Sequence, residues 1–222
     1  MTFFDESIQI VAANLWNLNP RQLKAMRQCL EYEPDIVVLP ELHNKCISDA
    51  KKLFLTHRYT LIHVRIHRMM SLGIASRIPW SHSTIMDQEA FAGRPQLKLH
   101  LENDITFLGI HLDAPVSPHR YRKRRQQLSL LADCINQSQN PVVLAGDFNT
   151  YFSESIFQTF LTQIDSRQCY SSVQRPCTWP SFLPLFQIDH ILCSQQLKVT
   201  QLQQGYFNGS DHLPIYGCID LR

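Results

Sequence analysis

An aspartate and an asparagine two positions apart, Asp147 and Asn149, follow the apolar run 142–145. A short apolar run bounded by turn residues predicts a buried strand, so the two side chains should project on the same side of a strand end. A carboxylate that accepts protons and an amide that donates and accepts hydrogen bonds could together hold a water molecule and a phosphate oxygen. The alternative is a strand followed by an ordinary Asx turn, because both residues are favoured in turns for local reasons.

Other apolar runs and tight turns of the chain lead into polar residues that are capable of related chemistry. These residues are Asn14, Glu41, His111, Asp189 with His190, and Asp211 with His212. A strand end combines rigid support with access to solvent, which a catalytic group needs. Each residue alone could be a core histidine, a helix cap or a turn residue. Together they are rich in Asp, Asn and His but poor in Lys, which is typical of a site for a hard cation and a phosphate.

The elements that would position these residues are short strands interleaved with a few helices. Strands are predicted over 8–14, 36–39, 59–66, 72–76, 81–86, 97–101, 105–111, 142–145, 188–193, 197–203 and 215–219, and helices over 20–31, 46–57, a segment including 128–135, and 154–161. This order predicts an α/β (α+β) fold, a four-layered sandwich of two mixed β-sheets packed face to face with helices outside. A doubly wound nucleotide-binding fold is disfavoured, because the chain has seven glycines and no glycine-rich phosphate loop.

Composition restricts the class of protein without naming a partner. The 222 residues, 44% apolar and 18% charged, predict a single globular domain over 1–222. A formal net charge of +2 does not by itself indicate a nucleic-acid binder. Seven scattered cysteines without a Cys-x-x-Cys pair argue against a zinc site or a disulfide scaffold and favour a reducing compartment. With no evident signal peptide and no apolar run long enough to span a membrane, a cytoplasmic protein is expected.

Six short segments carry a resemblance to a known family, and the likeness covers nearly the whole chain. The segments are Asn14, Pro40-Glu41, Gly109-Ile110-His111-Leu112, Gly146-Asp147-Phe148-Asn149, Ile188-Asp189-His190-Ile191-Leu192 and Ser210-Asp211-His212-Leu213-Pro214. Their order and spacing resemble the endonuclease/exonuclease/phosphatase superfamily, which includes exonuclease III, pancreatic-type deoxyribonuclease, neutral sphingomyelinases and inositol polyphosphate 5-phosphatases. The pairing of the Gly-Asp-Phe-Asn segment with the C-terminal Ser-Asp-His segment is the most specific part of the resemblance.

The resemblance implies a divalent metal cofactor, Mg²⁺ with Mn²⁺ as the alternative. Glu41 would be the principal metal ligand, and Asn14 and Asp211 would lie nearby in the metal and water shell. The residue before this glutamate is often Gln in the family and is Pro40 here, which removes one side-chain contact and leaves the ligand in place.

The resemblance also implies roles for five catalytic residues. Asp147 would orient or deprotonate the attacking water, and Asn149 would hold a phosphate oxygen. His212 would stabilise the charge that develops on the phosphoryl group, with its ring oriented by Asp189. His111 matches the histidine that deoxyribonuclease-like members place on the opposite side of the phosphate. The implied reaction is in-line displacement at phosphorus by an activated water.

Two features bear on the substrate. The run 120–125 contains five Lys or Arg residues, among them Arg124, and is either a phosphate-attracting patch or a solvated helix face. Trp179, in an apolar loop, is either a substrate-binding platform or a packing residue. We therefore expect a Mg²⁺-dependent phosphodiesterase, nuclease-like, with nucleic acid as its partner.

Two alternative functions stay open. A phosphatase or phospholipase C-type hydrolase would act on phosphoinositide or sphingomyelin-like headgroups, with the apolar loop 179–186 touching a membrane. A catalytically silent module would use the same fold to bind a phosphate-bearing partner. The complete set of expected site residues argues against the silent module.

Overall fold

The computed structural model of the protein describes residues 7–87, 89, 91–164 and 176–221. Its strands are β1 (Ser7–Ala12), β2 (Ile36–His43), β3 (Thr60–Arg65), β4 (Met70–Ser76), β5 (Trp80–Met86), β6 (Gln96–Leu101), β7 (Thr106–His111), β8 (Val142–Asp147), β9 (Asp189–Cys193), β10 (Leu197–Gln204) and β11 (Ile215–Leu221). Its α-helices are α1 (Gln22–Leu30), α2 (Ile47–Thr56), α3 (Pro118–Gln137) and α4 (Ser155–Gln163). The predicted elements are thus confirmed in type and order, with small shifts at their ends.

The strands form two mixed sheets, as predicted. The first sheet has the order β10-β11-β1-β2-β4-β3, in which β1 and β2 are parallel and the other neighbours are antiparallel. The second has the order β5-β6-β7-β8-β9, in which only β7 and β8 are parallel. Each sheet therefore contains one central parallel pair whose carboxyl ends lie at the same edge.

Alternate residues of the central strands belong to different layers. In β2, Ile36 and Val38 join the core between the two sheets, whereas Val37 and Leu39 pack against α1 and α2. In the second sheet, Leu144 faces α3 and α4 in the same way. Because both faces of these strands are buried, their sequences are continuous apolar runs rather than alternating ones. The result is the predicted order of helices, sheet, sheet and helices.

The longest helix, α3, begins one residue after a capping serine. The hydroxyl of Ser117 accepts a hydrogen bond from the backbone N–H of Arg120, and Pro118 occupies the first turn, where its missing N–H costs nothing. Among the described residues, no helix is both long and apolar enough to cross a membrane.

Candidate active site

Three predicted site residues form one row across the second sheet. In the register of the strands, His111 of β7 lies beside Asp147 of β8, and Asp147 lies beside Asp189 of β9. Each of the three residues is 1% exposed. The strand pairing itself therefore brings together residues that are separated by as many as 78 positions in the chain.

Gly146 allows β7 to approach β8 closely next to Asp147. Its φ is +138°, and a Cβ atom at this position would lie 2.0 Å from the carbonyl oxygen of Ile110. No L-residue with a side chain fits that conformation and that approach, so the glycine before Asp147 is required by backbone geometry. It lets β7 and β8 stay paired up to the site.

The first sheet contributes Asn14 and Glu41 from the carboxyl ends of its parallel pair. Backbone pairing continues past β1, where the N–H of Leu15 donates to the carbonyl of Pro40 at 2.9 Å. Pro40 has no N–H to pair with β4, and the register between β2 and β4 shifts between Leu39 and Leu42. Within this bulge Glu41 adopts φ +58°, an uncommon conformation for a non-glycine residue.

Asn14 connects the two sheets through the site. Its Nδ2 donates to Oδ2 of Asp147 at 2.9 Å and lies 3.5 Å from Oε1 of Glu41, while its Oδ1 accepts from the N–H of Trp16 at 2.9 Å. In this arrangement the amide nitrogen of Asn14, rather than its oxygen, faces the carboxylates. Its predicted place in the metal shell stays a prediction, and its observed role is to hold the carboxylates of two different sheets together.

Asn149 is folded back onto Asp147. Its backbone N–H donates to Oδ1 of Asp147 at 2.7 Å, and its Nδ2 donates to Oδ2 of Asp147 and to the carbonyl of Leu112, both at 3.0 Å. The backbone of Asn149 has φ +50°. Both the predicted Asx-type turn and the predicted placement of the two side chains on one side are therefore present in the same segment.

His212 and Asp189 form a buried hydrogen-bonded pair. Nδ1 of His212 lies 2.8 Å from Oδ2 of Asp189, and the same oxygen accepts a hydrogen bond of 2.5 Å from the hydroxyl of Thr178. The N–H of His212 also donates to Oγ of Ser210 at 3.1 Å. These contacts hold the ring so that Nε2 is the nitrogen left for the cleft.

Burial acts in opposite directions on the pKa values of Asp147 and His212. Burial raises the pKa of Asp147 to about 7, although the charge of His212 acts to lower it. Burial alone would lower the pKa of His212, but the charges of Asp189, Asp147 and Asp211, together with the hydrogen bond that His212 donates to Asp189, raise it to about 10. At neutral pH His212 is therefore an imidazolium, a donor suited to an anionic ligand.

An arginine that the sequence analysis did not identify lies beside His111. The NH2 nitrogen of Arg94 is 2.7 Å from Nε2 of His111 and 3.1 Å from its Nδ1, and the NH1 nitrogen donates to Oδ1 of Asp113 at 3.1 Å. Burial and the charge of Arg94 lower the pKa of His111 well below 6.5. Arg94 sits in the short Gly93-Arg94-Pro95 segment, whose composition is that of an ordinary exposed turn, so no sequence signal distinguishes it.

A cleft of about 600 Å³ joins these groups. Its lining includes the polar residues Glu41, Arg94, His111, Asp147, Asn149, Asp211 and His212 and the aromatic residues Tyr151, Trp179 and Phe186. Every predicted catalytic and metal residue except Asn14 and Asp189 lines this cleft, and those two are hydrogen-bonded directly to lining residues. The predicted set is therefore brought together in one place.

Trp179 and Arg124, the two residues predicted to bind substrate, both line the cleft but differ in how far they are exposed. Trp179 is 37% exposed and contacts Phe186, with ring centroids 6.0 Å apart. Arg124 is 1% exposed and binds the carboxylate of Glu154 and the carbonyl of Asn149. Arg124 is thus not part of a solvated helix face, and its observed contacts support the loop that carries Asn149.

His43 and Asp113, which are close in sequence to the site residues Glu41 and His111, both make structural contacts. Nδ1 of His43 accepts from the N–H of Lys45 at 3.1 Å and so caps the short 3₁₀ turn after β2. Asp113 is 8% exposed and, besides Arg94, accepts a hydrogen bond of 2.8 Å from Nε2 of Gln127. His43 therefore caps a turn at the surface, whereas Asp113 is a buried partner of Arg94 and Gln127.

Two groups of side chains at the cleft contain possible ligand atoms for a cation. The ligand atoms of Asp147, Asp189 and His212 lie within 4.8 Å of one another. However, Nδ1 of His212 and Oδ2 of Asp189 are already bound to each other, and Oδ2 of Asp147 accepts hydrogen bonds from Asn14 and Asn149. Glu41 fits better, because its Oε2 accepts from the N–H of Asn17 at 2.9 Å while Oε1 faces the cleft without a short hydrogen bond. Asp211 lines the same cleft, and carboxylate oxygens of this kind are the ligands that Mg²⁺ prefers.

Comparisons with known proteins identify the family and the fold of this chain. A family model described as the endonuclease/exonuclease/phosphatase family matches residues 11–212. No curated protein sequence matches significantly. Among solved structures, D. rerio TDP2 complexed with a single-strand DNA product has 17% sequence identity and a TM-score of 0.74, over 97% of this chain and 100% of that chain.

Two further solved structures have the same fold. The human Nocturnin catalytic domain with a bound sulfate anion has 17% identity and a TM-score of 0.75, over 99% of this chain and 96% of that chain. An AP endonuclease from Archaeoglobus fulgidus has 16% identity and a TM-score of 0.75, over 95% and 98% of the two chains. At these identities the structures establish the fold alone, whereas the family model spans the chain from β1 to His212. The chain belongs to the endonuclease/exonuclease/phosphatase family.

Proposed function

We propose that this protein is a divalent-metal-dependent phosphodiesterase that hydrolyses nucleic acid by in-line attack of water at phosphorus. The observation that carries the proposal is the convergence on one cleft of Glu41 from β2, Asp147 and Asn149 from the end of β8, and His212 from the segment before β11. A purely structural protein has no need of two buried carboxylates and a charged imidazole within hydrogen-bonding reach of each other, because such groups are costly to bury.

Asp147 is suited to hold the attacking water. Hydrogen bonds from Asn14 and from Asn149 fix its carboxylate in one orientation. Oδ2 accepts two of these hydrogen bonds and Oδ1 accepts one, so Oδ1 keeps a lone pair with which the carboxylate can accept a proton from a water placed in the cleft. Both Nδ2 hydrogens of Asn149 are bound, to Asp147 and to the carbonyl of Leu112, so holding a phosphate oxygen would require the amide to exchange one of these partners for the substrate.

His212 is suited to bind the phosphoryl group as negative charge develops on it. Asp189 takes the Nδ1–H, which leaves the Nε2–H to donate into the cleft. A positive donor that is already oriented stabilises a transition state more than one that must reorganise, and removing such a donor typically costs about a hundredfold or more in rate.

A divalent ion fits beside these groups. Glu41 and Asp211 would hold it, with Mg²⁺ the favoured ion and Mn²⁺ the alternative. When bound, such an ion neutralises charge on phosphate oxygens and favours displacement at phosphorus.

The apolar wall of the cleft favours a substrate with planar groups. Tyr151, Trp179 and Phe186 are each about two-fifths exposed, and Phe186 lies within 6.0 Å of both other rings. Exposed aromatic side chains next to a phosphate site provide stacking surfaces for nucleobases. The structural neighbours named above include a protein complexed with single-strand DNA and an AP endonuclease, which supports the same choice.

One observation favours a second candidate. Phe182 is 86% exposed, Leu183 56% and Leu185 60%, in the loop that also carries Trp179. An exposed apolar loop beside a phosphoester site would suit a lipid surface, so a hydrolase of phosphoinositide or sphingomyelin-like headgroups is the alternative.

A substrate panel tests the proposal. Single-stranded and double-stranded DNA, RNA, abasic duplex, phosphoinositides and sphingomyelin would each be incubated with Mg²⁺ and with EDTA. We expect turnover of a nucleic acid that requires the metal and that falls by about a hundredfold or more in Asp147→Asn and His212→Ala. Asp133→Asn, which removes the same charge from an exposed position of α3, is the matched control and should leave the rate unchanged.

Three results would contradict the proposal. They are turnover in EDTA, rates unaffected by both site substitutions, and lipid hydrolysis in the absence of nucleic-acid hydrolysis. The last result would establish the second candidate in place of the first.

A further inference from the structure

Arg94 presents a buried guanidinium to the cleft. Its side chain is 9% exposed, yet it lines the cleft together with Glu41, Asp147 and His111. The NH1 nitrogen is bound to Asp113 and the NH2 nitrogen contacts His111. Buried arginines are rare unless every donor is satisfied, so the use of each N–H group needs an explanation.

The contact with His111 decides which of the two residues carries positive charge. A guanidinium offers only donors, so the ring nitrogen that faces it at 2.7 Å must act as an acceptor. An imidazolium has no acceptor nitrogen, and two cations at that separation would repel. On this side of the cleft the positive charge therefore belongs to Arg94, whereas His111 is the neutral partner.

The remaining donors of Arg94 are not used up within the protein. Asp113 divides its two oxygens between Arg94 and Gln127. The Nε–H of Arg94 is buried and has no hydrogen-bond partner among the residues that the structure describes. The NH1 and NH2 nitrogens each carry a second hydrogen beyond the contacts with Asp113 and His111, and an anionic oxygen in the cleft could accept from one of these.

The position of Arg94 complements that of His212. His111 and Asp147 are register partners at the centre of the site, and Arg94 contacts His111, whereas His212 is bound to Asp189 on the other side of Asp147. A phosphate group above Asp147 would then lie between two cationic donors. That arrangement offsets the repulsion between the substrate and the surrounding carboxylates.

We propose that Arg94 is the residue that binds a non-bridging phosphate oxygen of the substrate on the side opposite His212, with His111 and Asp113 as positioning residues for its guanidinium. This inference rests on the proposed function. It differs from the expectation from sequence, in which His111 itself contacts the phosphate.

The test compares Arg94→Ala, Arg94→Lys and His111→Gln with the wild-type protein on the nucleic acid that is turned over. We expect Arg94→Ala to lower kcat/KM by about a hundredfold or more. The loss of kcat/KM in His111→Gln should be smaller than the loss in Arg94→Ala by a factor of about ten or more. Arg94→Lys keeps a positive charge beside Asp113 but loses the planar fork, so we expect a loss of about tenfold. Millimolar guanidinium should restore part of the activity of Arg94→Ala and should not raise that of the wild type.

A second measurement does not depend on turnover. Binding of inorganic phosphate to the Mg²⁺-loaded protein, measured by titration calorimetry, should weaken by about tenfold in Arg94→Ala, as expected for a lost charge-assisted hydrogen bond of about 1.4 kcal/mol or more. Arg94→Lys decides the question if Arg94→Ala does not fold, because an unchanged kcat/KM and an unchanged phosphate affinity in that variant would overturn the proposal.

The outcomes separate this inference from the proposed function. Turnover by the wild type with normal kinetics and normal phosphate affinity in folded Arg94 variants would refute the role of Arg94 alone. Absence of turnover on the whole panel, with phosphate binding that depends on Arg94, would refute the proposed function and support the role of Arg94. A loss of stability in Arg94→Ala without guanidinium rescue would show that the residue is only structural.

Discussion

His190 makes the stability of this protein sensitive to mild acid. The residue is completely buried next to Asp189, and its Nε2 lies 2.8 Å from the carbonyl oxygen of Thr150. Its ring stacks on Phe157 at 4.5 Å between centroids and meets the edge of Phe148 at 5.3 Å. Burial lowers the pKa of His190 from 6.5 to about 4, in spite of the opposing effect of the hydrogen bond to Thr150.

The sign of the effect follows from proton binding. Between pH 6.5 and about 4 the unfolded chain has a protonated His190 while the folded protein keeps it neutral. The unfolded state therefore binds more protons, and stability that is present above pH 6.5 is lost as the pH falls toward 4. At about 1.4 kcal/mol per pH unit, this residue should remove about 2 kcal/mol between pH 7 and pH 5.

Urea denaturation of the wild type and of His190→Gln at pH 7 and pH 5 measures this contribution. The glutamine amide can still donate to Thr150 but does not titrate. We expect the variant to be less stable at pH 7 and to lose about 2 kcal/mol less than the wild type on going to pH 5. His119→Gln, which removes an exposed histidine from α3, is the control and should follow the wild type. Parallel pH dependences of the wild type and His190→Gln would refute the reasoning.

Two further predictions concern the contact between the sheets and the support of His212. A Cβ atom on Gly109 would lie 2.7 Å from Cδ1 of Ile74, so Gly109→Ala should lower the free energy of unfolding by about 1–3 kcal/mol. In a protein that already carries Ile74→Ala, the same substitution should cause no further loss. Additive losses of the two substitutions in urea denaturation would contradict this prediction. Asp189→Asn should lower the rate by about a hundredfold, because His212 loses its charged partner. Thr178→Val removes one neutral hydrogen bond to the same oxygen of Asp189 and should lower the rate by about tenfold or less. Equal initial rates of the two variants at equal folded fraction would contradict the role of Asp189.

The architecture was predictable because its signal is local. Continuous apolar runs such as 142–145 mark strands buried on both faces, and the periodic apolar positions of α3 mark a helix packed on one face. The ends of the elements shifted by a few residues, since capping contacts and register decide them. Ser117 shows this for α3, which begins at Pro118.

Part of the site was predictable for the same reason. Polar residues at the ends of consecutive buried strands are confined to one edge of a sheet, so Asp147 and His111 had to be near each other once β7 and β8 paired. The need for a glycine at position 146, in contrast, follows only from the structure, which gives both its φ and the approach of Ile110.

The orientation of individual groups was not predictable. Asn14 turns its amide nitrogen to Asp147 because its oxygen is taken by the N–H of Trp16, a contact that exists only once the segment after β1 has folded. Likewise, Arg124 lies in a basic run that reads as a solvated face, yet Glu154 approaches it from the beginning of α4 and makes it a buried support of Asn149.

The sequence by itself determined the layers of this protein and the residue types available at the carboxyl ends of its strands, because both depend on patterns within a few positions. Only the tertiary structure decided that Arg94 meets His111 and that His190 is enclosed by aromatic rings. These are contacts between segments far apart in the chain, and their charge states follow from burial and from neighbours that no local pattern records. The electrostatic character of the cleft is therefore a property of the fold rather than of any one motif.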